Sequence, residues 1–236
     1  MRGAIPLQAG FGDEGGDRFA SLHRATSRAD DVYEAIFRQL MALKIAPGAR
    51  ISVDGLVREL NVSQTPIREA LSRLEAEGLV QKTHLIGYSA APQITKRDFN
   101  ELYELRLCLE PFAAKAATTN LDADVLVALK EAATQMMMRD GGDERIRYSS
   151  FARLDAVFHD KILETAGNQL IRETLWHQHT HFHIFRLMFH ARVTDEALDE
   201  HANIMAAFEA RDPGAAENAM RTHIERSRSR LSQVFE

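Results

Sequence analysis

Four residues scattered through the last third of the chain are of the types that hold metal ions: Asp155, His159, His201 and His223. Asp155 and His159 are four apart, so on one helix they project from the same face about a turn from each other. His201 and His223 belong to two later helical stretches, so three neighbouring helices can aim one carboxylate and three imidazoles at a common centre. Such a donor set suits Zn²⁺ best, with Ni²⁺ or Mn²⁺ as alternatives, and its imidazoles select against Mg²⁺ and Ca²⁺. Apolar neighbours (Phe151, Leu154, Phe158 and Ile162 around the first pair; Ile204, Met205 and Phe208 after His201) set these positions beside a core. The alternative is a set of histidines hydrogen-bonded within that core. Eight of the ten histidines fall between 159 and 223. Those at 177, 179, 181 and 183 alternate by two, so on a helix they spread over several faces and read as mostly surface, one or two lining a cavity.

A second chemistry is written in residues 62–80. Ile67, Ala70, Leu71 and Leu74 recur at helical spacing and form a buried stripe, while Gln64, Arg68 and Ser72 share another face. That polar face suits a DNA major groove. Arg68 can grip guanine O6 and N7 and Gln64 adenine N6 and N7, each pair contributing about 1–3 kcal/mol of discrimination. Ser63 and Thr65 at the helix start suit phosphate contacts, and Arg50 would hold the backbone by charge. The competing reading has Ser63 or Thr65 capping the helix and Arg68 paired with Ser72 or an acid.

The elements that must position these groups are legible from periodicity. Val32, Ile36, Leu40 and Leu43 mark an amphipathic helix that stops before Pro47-Gly48; Val53, Leu56, Val57 and Leu60 mark a short one ended by Asn61. Leu79 to Thr83 and Ile86 to Ala90 read as a hairpin, and helix, helix-turn-helix, hairpin is the order of a winged helix. From Lys96 onward six helical stretches are expected, near 96–118, 122–139, 144–166, 169–191, 195–210 and 213–234. Thr194 is placed to cap the fifth, and Asp212-Pro213 is an N-cap with proline at the first helical position. The fold class is therefore mainly α: an N-terminal winged helix-turn-helix followed by a six- to seven-helix all-α bundle. The expected divisions are a flexible tail over 1–27, a DNA-binding domain over 28–92 and an effector-binding and dimerisation domain over 97–236. Met136-Met137-Met138 reads as packing or interface.

On Val62-Ser63-Gln64-Thr65-Pro66-Ile67-Arg68-Glu69-Ala70-Leu71 and the later Glu77-Gly78-Leu79-Val80, the chain resembles the GntR family of bacterial transcriptional regulators over residues 28–92. It departs at Gln64, where the family usually has Arg, and at His84-Leu85-Ile86-Gly87, where a Gly-Arg-Gly wing tip is common; both are expected contact positions, which adds His84 to the DNA-binding set. Asp155-x-x-x-His159, Gly167-Asn168, Glu200-His201 and Met220-Arg221-Thr222-His223-Ile224 resemble the ligand-sensing helical domain of the FadR branch of that family, over 97–232. The resemblance implies a divalent metal held by Asp155, His159, His201 and His223. Four protein ligands leave coordination space for water or the carboxylate of an organic acid. Arg106, on an apolar stripe, is a candidate to meet that anion, with an i,i+4 pair to Glu110 as the alternative. Arg186 poses the same choice, and Asn168 either offers its amide to the effector or serves as a turn residue.

Residues 28–92 carry eight basic and eight acidic side chains, and the net charge of −5 resides in 93–236. DNA attraction must then come from local clustering, with acids such as Asp30, Asp31, Glu34, Glu75 and Glu77 away from the contact edge. The single Cys108 excludes an intrachain disulfide framework, and no run of eighteen apolar residues exists. A cytoplasmic, non-membrane protein is expected. The functional expectation is a dimeric repressor reading palindromic double-stranded operator DNA, with half-sites about 34–36 Å apart, and answering a small carboxylate metabolite. A metal-dependent hydrolase or lyase built on the Asp/His set is the alternative, and a dimerisation platform with a structural metal a third.

Overall fold

The computed structural model describes residues 16–137, 144–187 and 191–236, with backbone alone for 16–27, 144–146 and 191–194. Helix α1 spans Gly16–Met41, so residues 16–27, expected as flexible tail, are helical; the rest of that tail lies outside the described residues. Val32, Ile36, Phe37, Leu40 and Met41 are buried along its inner face.

Two short helices follow. α2 (Val53–Leu60) starts at Ser52, whose Oγ accepts the Gly55 amide at 3.1 Å, and stops at Asn61, which adopts the left-handed conformation (φ 52°). α3 (Gln64–Ala76) carries Pro66 in its first turn, where the missing amide costs nothing. Ile67, Ala70, Leu71 and Leu74 of α3 are fully buried against α1. Strands β1 (Arg50–Ile51), β2 (Val80–Thr83) and β3 (Gly87–Ala90) form an antiparallel sheet in the order β1-β3-β2, with Arg50 opposite Ser89 and Lys82 opposite Tyr88. The hairpin is as expected. β1 was not: two residues are too few to show an alternation.

Among the remaining described residues run seven α-helices, α4 (Lys96–Asn120), α5 (Ala123–Met137), α6 (Glu144–Ala166), α7 (Gln169–His177), α8 (Thr180–Phe185), α9 (Ala191–Glu209) and α10 (Pro213–Ser232), with a closing 3-10 turn at Gln233–Phe235. Thr95 and Asp98 cap α4 reciprocally, and Asp212 Oδ1 caps α10 through the Ala215 amide. α4 and α10 pack along one another, with α6 and α9 closing the centre. Two expectations need correction. The single helix over 169–191 is two, because His179 takes a left-handed conformation (φ 45°) that histidine tolerates and hydrophobic spacing does not report. α9 begins at Ala191, so Thr194 lies inside it rather than capping it. Met136 is packed in the core and Met137 is exposed; Met138 is outside the described residues.

The bundle and the N-terminal helices share buried contacts. Phe182 meets Phe37 edge-on at 5.5 Å, and Arg153 of α6 pairs with Glu34 and lies over the Phe37 ring at 4.3 Å. The turn after α3 adds a close approach: a Cβ on Gly78 (φ +68°) would fall 2.5 Å from His179 Cδ2. Gly48 (φ +74°) has nothing within 4 Å. Gly48→Ala should therefore cost only the left-handed strain, about 1–2 kcal/mol, whereas Gly78→Ala should cost more because His179 must also shift. Urea unfolding of the two variants measures the difference, and equal losses would show that the contact carries no energy.

Candidate metal centre and nucleic-acid interface

Asp155 and His159 come from α6, His201 from α9 and His223 from α10. All four are buried, and one ligand atom from each lies within 4.8 Å of every other. His201 Nε2 is 3.2 Å from Asp155 Oδ1, and His159 Nε2 is 4.0 Å from the same oxygen. Bonds of about 2.0–2.2 Å to one ion would set its ligands roughly 3–4.3 Å apart. The spacing fits a shared ion.

Hydrogen bonding points the same way. His159 Nδ1 meets Glu110 Oε2 at 2.6 Å, and His223 Nδ1 meets Glu200 Oε2 at 2.9 Å. Each carboxylate is held in turn by a guanidinium: Arg106 Nε donates to Glu110 at 2.5 Å, and Arg230 donates to both Glu200 oxygens at 2.5 and 2.9 Å. An imidazole whose Nδ1 is fixed by a carboxylate presents Nε2 as the ligand. His159 Nε2 and both His201 nitrogens are buried without a hydrogen-bond partner among the described residues. His201 Nε2 stands 3.2 Å from Asp155 Oδ1 yet is not aligned to donate to it, so a buried nitrogen faces the carboxylate without a bond. An ion at that point removes the deficit.

Burial pushes the His159 imidazole down to about 3, against the opposing pull of Glu110, and His223 down to about 4. Both are neutral near pH 7, the form that ligates. Burial would raise the Glu110 carboxyl, but the adjacent Arg106 and His159 hold it well below the usual carboxylate range. Burial likewise opposes ionisation of Asp155, and the neighbouring His181, His201 and His159 together outweigh it, holding this carboxyl low as well.

The expected effector residues fare differently. Arg106 is 2 % exposed and clasped by Glu110, so the i,i+4 alternative is correct and the guanidinium braces the centre from behind. Asn168 is exposed and caps α7 through the Ile171 amide, again the turn alternative. Arg186 is buried. Its Nη2 donates to the Ala91 carbonyl at 2.6 Å while Nε and Nη1 have no partner among the described residues, and burial lowers the guanidinium to about 10. Sequence reasoning missed Glu110, Glu200 and Arg230 as supports. Only the Arg106–Glu110 spacing carried a signal. His181, read as one of a mostly surface set, is the one of its cluster that touches the ligand group.

The second site is on the surface. Arg50, Asp54, Gln64, Arg68, Ile86 and Tyr88 line one cleft of about 920 Å³ counted to its mouth, bringing α3, β1 and the hairpin together. Ser63, Thr65 and His84 are exposed at the start of α3 and at the hairpin turn. Ser63 occupies the N-cap position without a side-chain cap bond, which leaves its hydroxyl free for another acceptor or donor. Gln64 Nε2 donates to Asp54 Oδ1 at 2.9 Å and Arg68 Nη2 to Gln64 Oε1 at 3.4 Å. Arg68 thus pairs with Gln64 rather than Ser72. Asp54 places an acid inside the contact edge, contrary to the expectation that acids lie away from it; α2 and α3 cross there, which no single-helix pattern reports.

A winged helix-turn-helix with an exposed polar recognition face, joined to an all-helical domain enclosing a carboxylate–imidazole cluster, defines a DNA-binding regulator. The chain matches the model of bacterial regulatory proteins of the gntR family over residues 28–88 and that of the FCD domain over 101–226, and it belongs to this family of transcriptional regulators. It is 24 % identical over 208 residues to the HTH-type transcriptional regulator YdhC of Bacillus subtilis, covering 86 % of this chain and 91 % of the other. It is 26 % identical over 205 residues to the HTH-type transcriptional repressor RspR of Escherichia coli, covering 86 % and 88 %. The solved structure of E. coli McbR/YncC superposes with a TM-score of 0.65 at 21 % identity, covering 89 % of this chain and 99 % of that one. Both sequence relatives are named as HTH-type transcriptional regulators. No helix among the described residues is long and apolar enough to cross a membrane.

The depressed histidines have a consequence for stability. A base whose pKa is lower folded than unfolded binds more protons when unfolded, so stability falls as pH drops below the unfolded value of 6.5 towards about 4 for His223 and about 3 for His159. Metal-stripped protein should lose up to roughly 1.4 kcal/mol per pH unit for each imidazole across that window. Urea unfolding at pH 7, 6 and 5 measures the slope, and a flat profile would mean these rings are already charged or solvated.

Proposed function

We propose that this regulator is a metal-dependent, metabolite-responsive repressor. Asp155, His159, His201 and His223 bind one divalent transition ion, Zn²⁺ by preference, with Ni²⁺ or Mn²⁺ accepted by the same donors. The observation that carries this reading is the set of buried, unpartnered nitrogens on His159 and His201 facing Asp155. The ion leaves coordination space for the carboxylate of a small organic acid. Residues 28–92 form the DNA-reading unit and 97–236 the effector-binding and dimerisation unit. Arg68 and Gln64 read base edges; Ser63, Thr65, Arg50 and His84 hold phosphates. Two copies read the two halves of a palindromic operator in the cytoplasm, and the effector acts through its differential affinity for the two arrangements of the reading heads.

Purified protein should contain about one equivalent of metal per chain by elemental analysis, and His201→Ala or Asp155→Asn should lose it. A thermal-shift series of small organic acids should show stabilisation that vanishes with chelator. Metal without any acid response would leave a structural ion, and absence of both would overturn the reading. On DNA, Arg68→Ala should weaken specific binding by about 1–3 kcal/mol with little change on random duplex, measured by competition gel shift. Equal loss on both would reassign Arg68 to the phosphates.

A further inference from the structure

Where α7 and α8 separate, a cavity opens between them and α4 and α6. Leu163, Leu175, Phe182 and Trp176 form its apolar walls. Two polar groups interrupt them. Thr180 is 3 % exposed, and its hydroxyl has no hydrogen-bond partner among the described residues. His181 has Nδ1 at 2.6 Å from Asp155 Oδ2. That carboxylate accepts, so Nδ1 donates to it. Glu110 and Asp160 also border the space, and each is already engaged, Glu110 by Arg106 and His159, Asp160 by Arg172 at 2.7 and 2.8 Å. Two carboxylates bordering the space disfavour an anion. Apolar walls with a few convergent polar atoms are the usual form of a small-molecule site.

We propose that this cavity is a second ligand site, separate from the coordination sphere of the candidate metal centre, for a compact uncharged molecule with a flat apolar body and one hydroxyl, of phenol-like chemistry. The body lies against Leu163, Leu175 and Phe182 with Trp176 at the mouth. The hydroxyl bonds to the unpartnered Thr180 hydroxyl and meets the His181 ring at the same end. Filling it bears directly on the DNA-reading module. His179, which also lines the cavity, packs on Gly78 just beyond α3, and Phe182 packs on Phe37 of α1.

Trp176 is the chain's single tryptophan, so its emission reads the cavity directly. Titration of the full-length protein with phenol, 4-methylphenol and 4-ethylphenol should give saturable emission changes, with affinity rising about fourfold per added carbon while space lasts. Chelator should not affect it, and benzoate should bind weakly or not at all. Thr180→Val should weaken 4-methylphenol about tenfold and leave toluene unchanged. Ala156→Leu, which fills the cavity from α6, should abolish the response with metal content and helical circular dichroism unaltered. Any of three results overturns the proposal. One is emission unmoved by every phenol. Another is a response that benzoate shares or that chelator removes, which would assign the binding to the metal centre. The last is emission that follows protein concentration instead of ligand, which would mean that a second copy covers the mouth. Loss of metal binding alone, with the phenol response kept, would sink the metal reading and leave this one standing.

Discussion

Burying a carboxylate among three imidazoles is the constraint around which the bundle is arranged. Water cannot solvate these groups, so each polar atom needs a partner supplied by another helix. Two relays meet that need: Arg106–Glu110–His159 ties α4 to α6, and Arg230–Glu200–His223 ties α9 to α10. In so dry a setting, removing one member leaves a buried charge uncompensated, typically at about 3–5 kcal/mol. The relays therefore fix α4 against α6 and α9 against α10. They also fix the ring tautomers, leaving Nε2 of His159 aimed at Asp155.

The same arrangement reaches the DNA-reading module by contact rather than by a linker alone. Asp155 holds His181 on α8, and the residues flanking His181 leave the bundle: His179 touches Gly78 and Phe182 touches Phe37. Arg186, just past α8, holds the Ala91 carbonyl in the connection after β3, and Gln93 returns a bond to the Arg186 carbonyl. α8 and the residue after it carry several buried groups without partners among the described residues: Thr180 Oγ1, His183 Nδ1 and two nitrogens of Arg186. Segments with such deficits lie nearer the low-stability end of a fold. A change at the centre that shifts His181 has a continuous path of packed atoms to the end of the recognition helix.

Much of this was legible before any coordinates. The stripe at Ile67, Ala70, Leu71 and Leu74 is local and strictly periodic, and all four residues are fully buried. Asp155 and His159 share a face by their spacing alone. Legibility failed where the deciding partner came from elsewhere in the chain. Arg106 resembled an anion receptor because a buried guanidinium needs a counter-charge, and the counter-charge is Glu110 one turn away. Asn168 resembled a ligand for an amide-seeking effector and is spent on its own helix start. The break at His179 escaped because histidine is an ordinary helix residue whose left-handed conformation is imposed by its surroundings.

The chain's order of residues determined by itself the recognition helix, the hairpin, most helix boundaries and the shared face of Asp155 and His159, because each rests on spacing of a few residues and on backbone preferences that act locally. Only the tertiary structure decided which carboxylate holds which imidazole, that Asp54 stands beside Gln64, and that α8 bridges the buried centre and the turn after α3. Those are matters of long-range packing, in which side chains more than a hundred residues apart, as Tyr103 and Ser227 are, must satisfy one another where water does not reach.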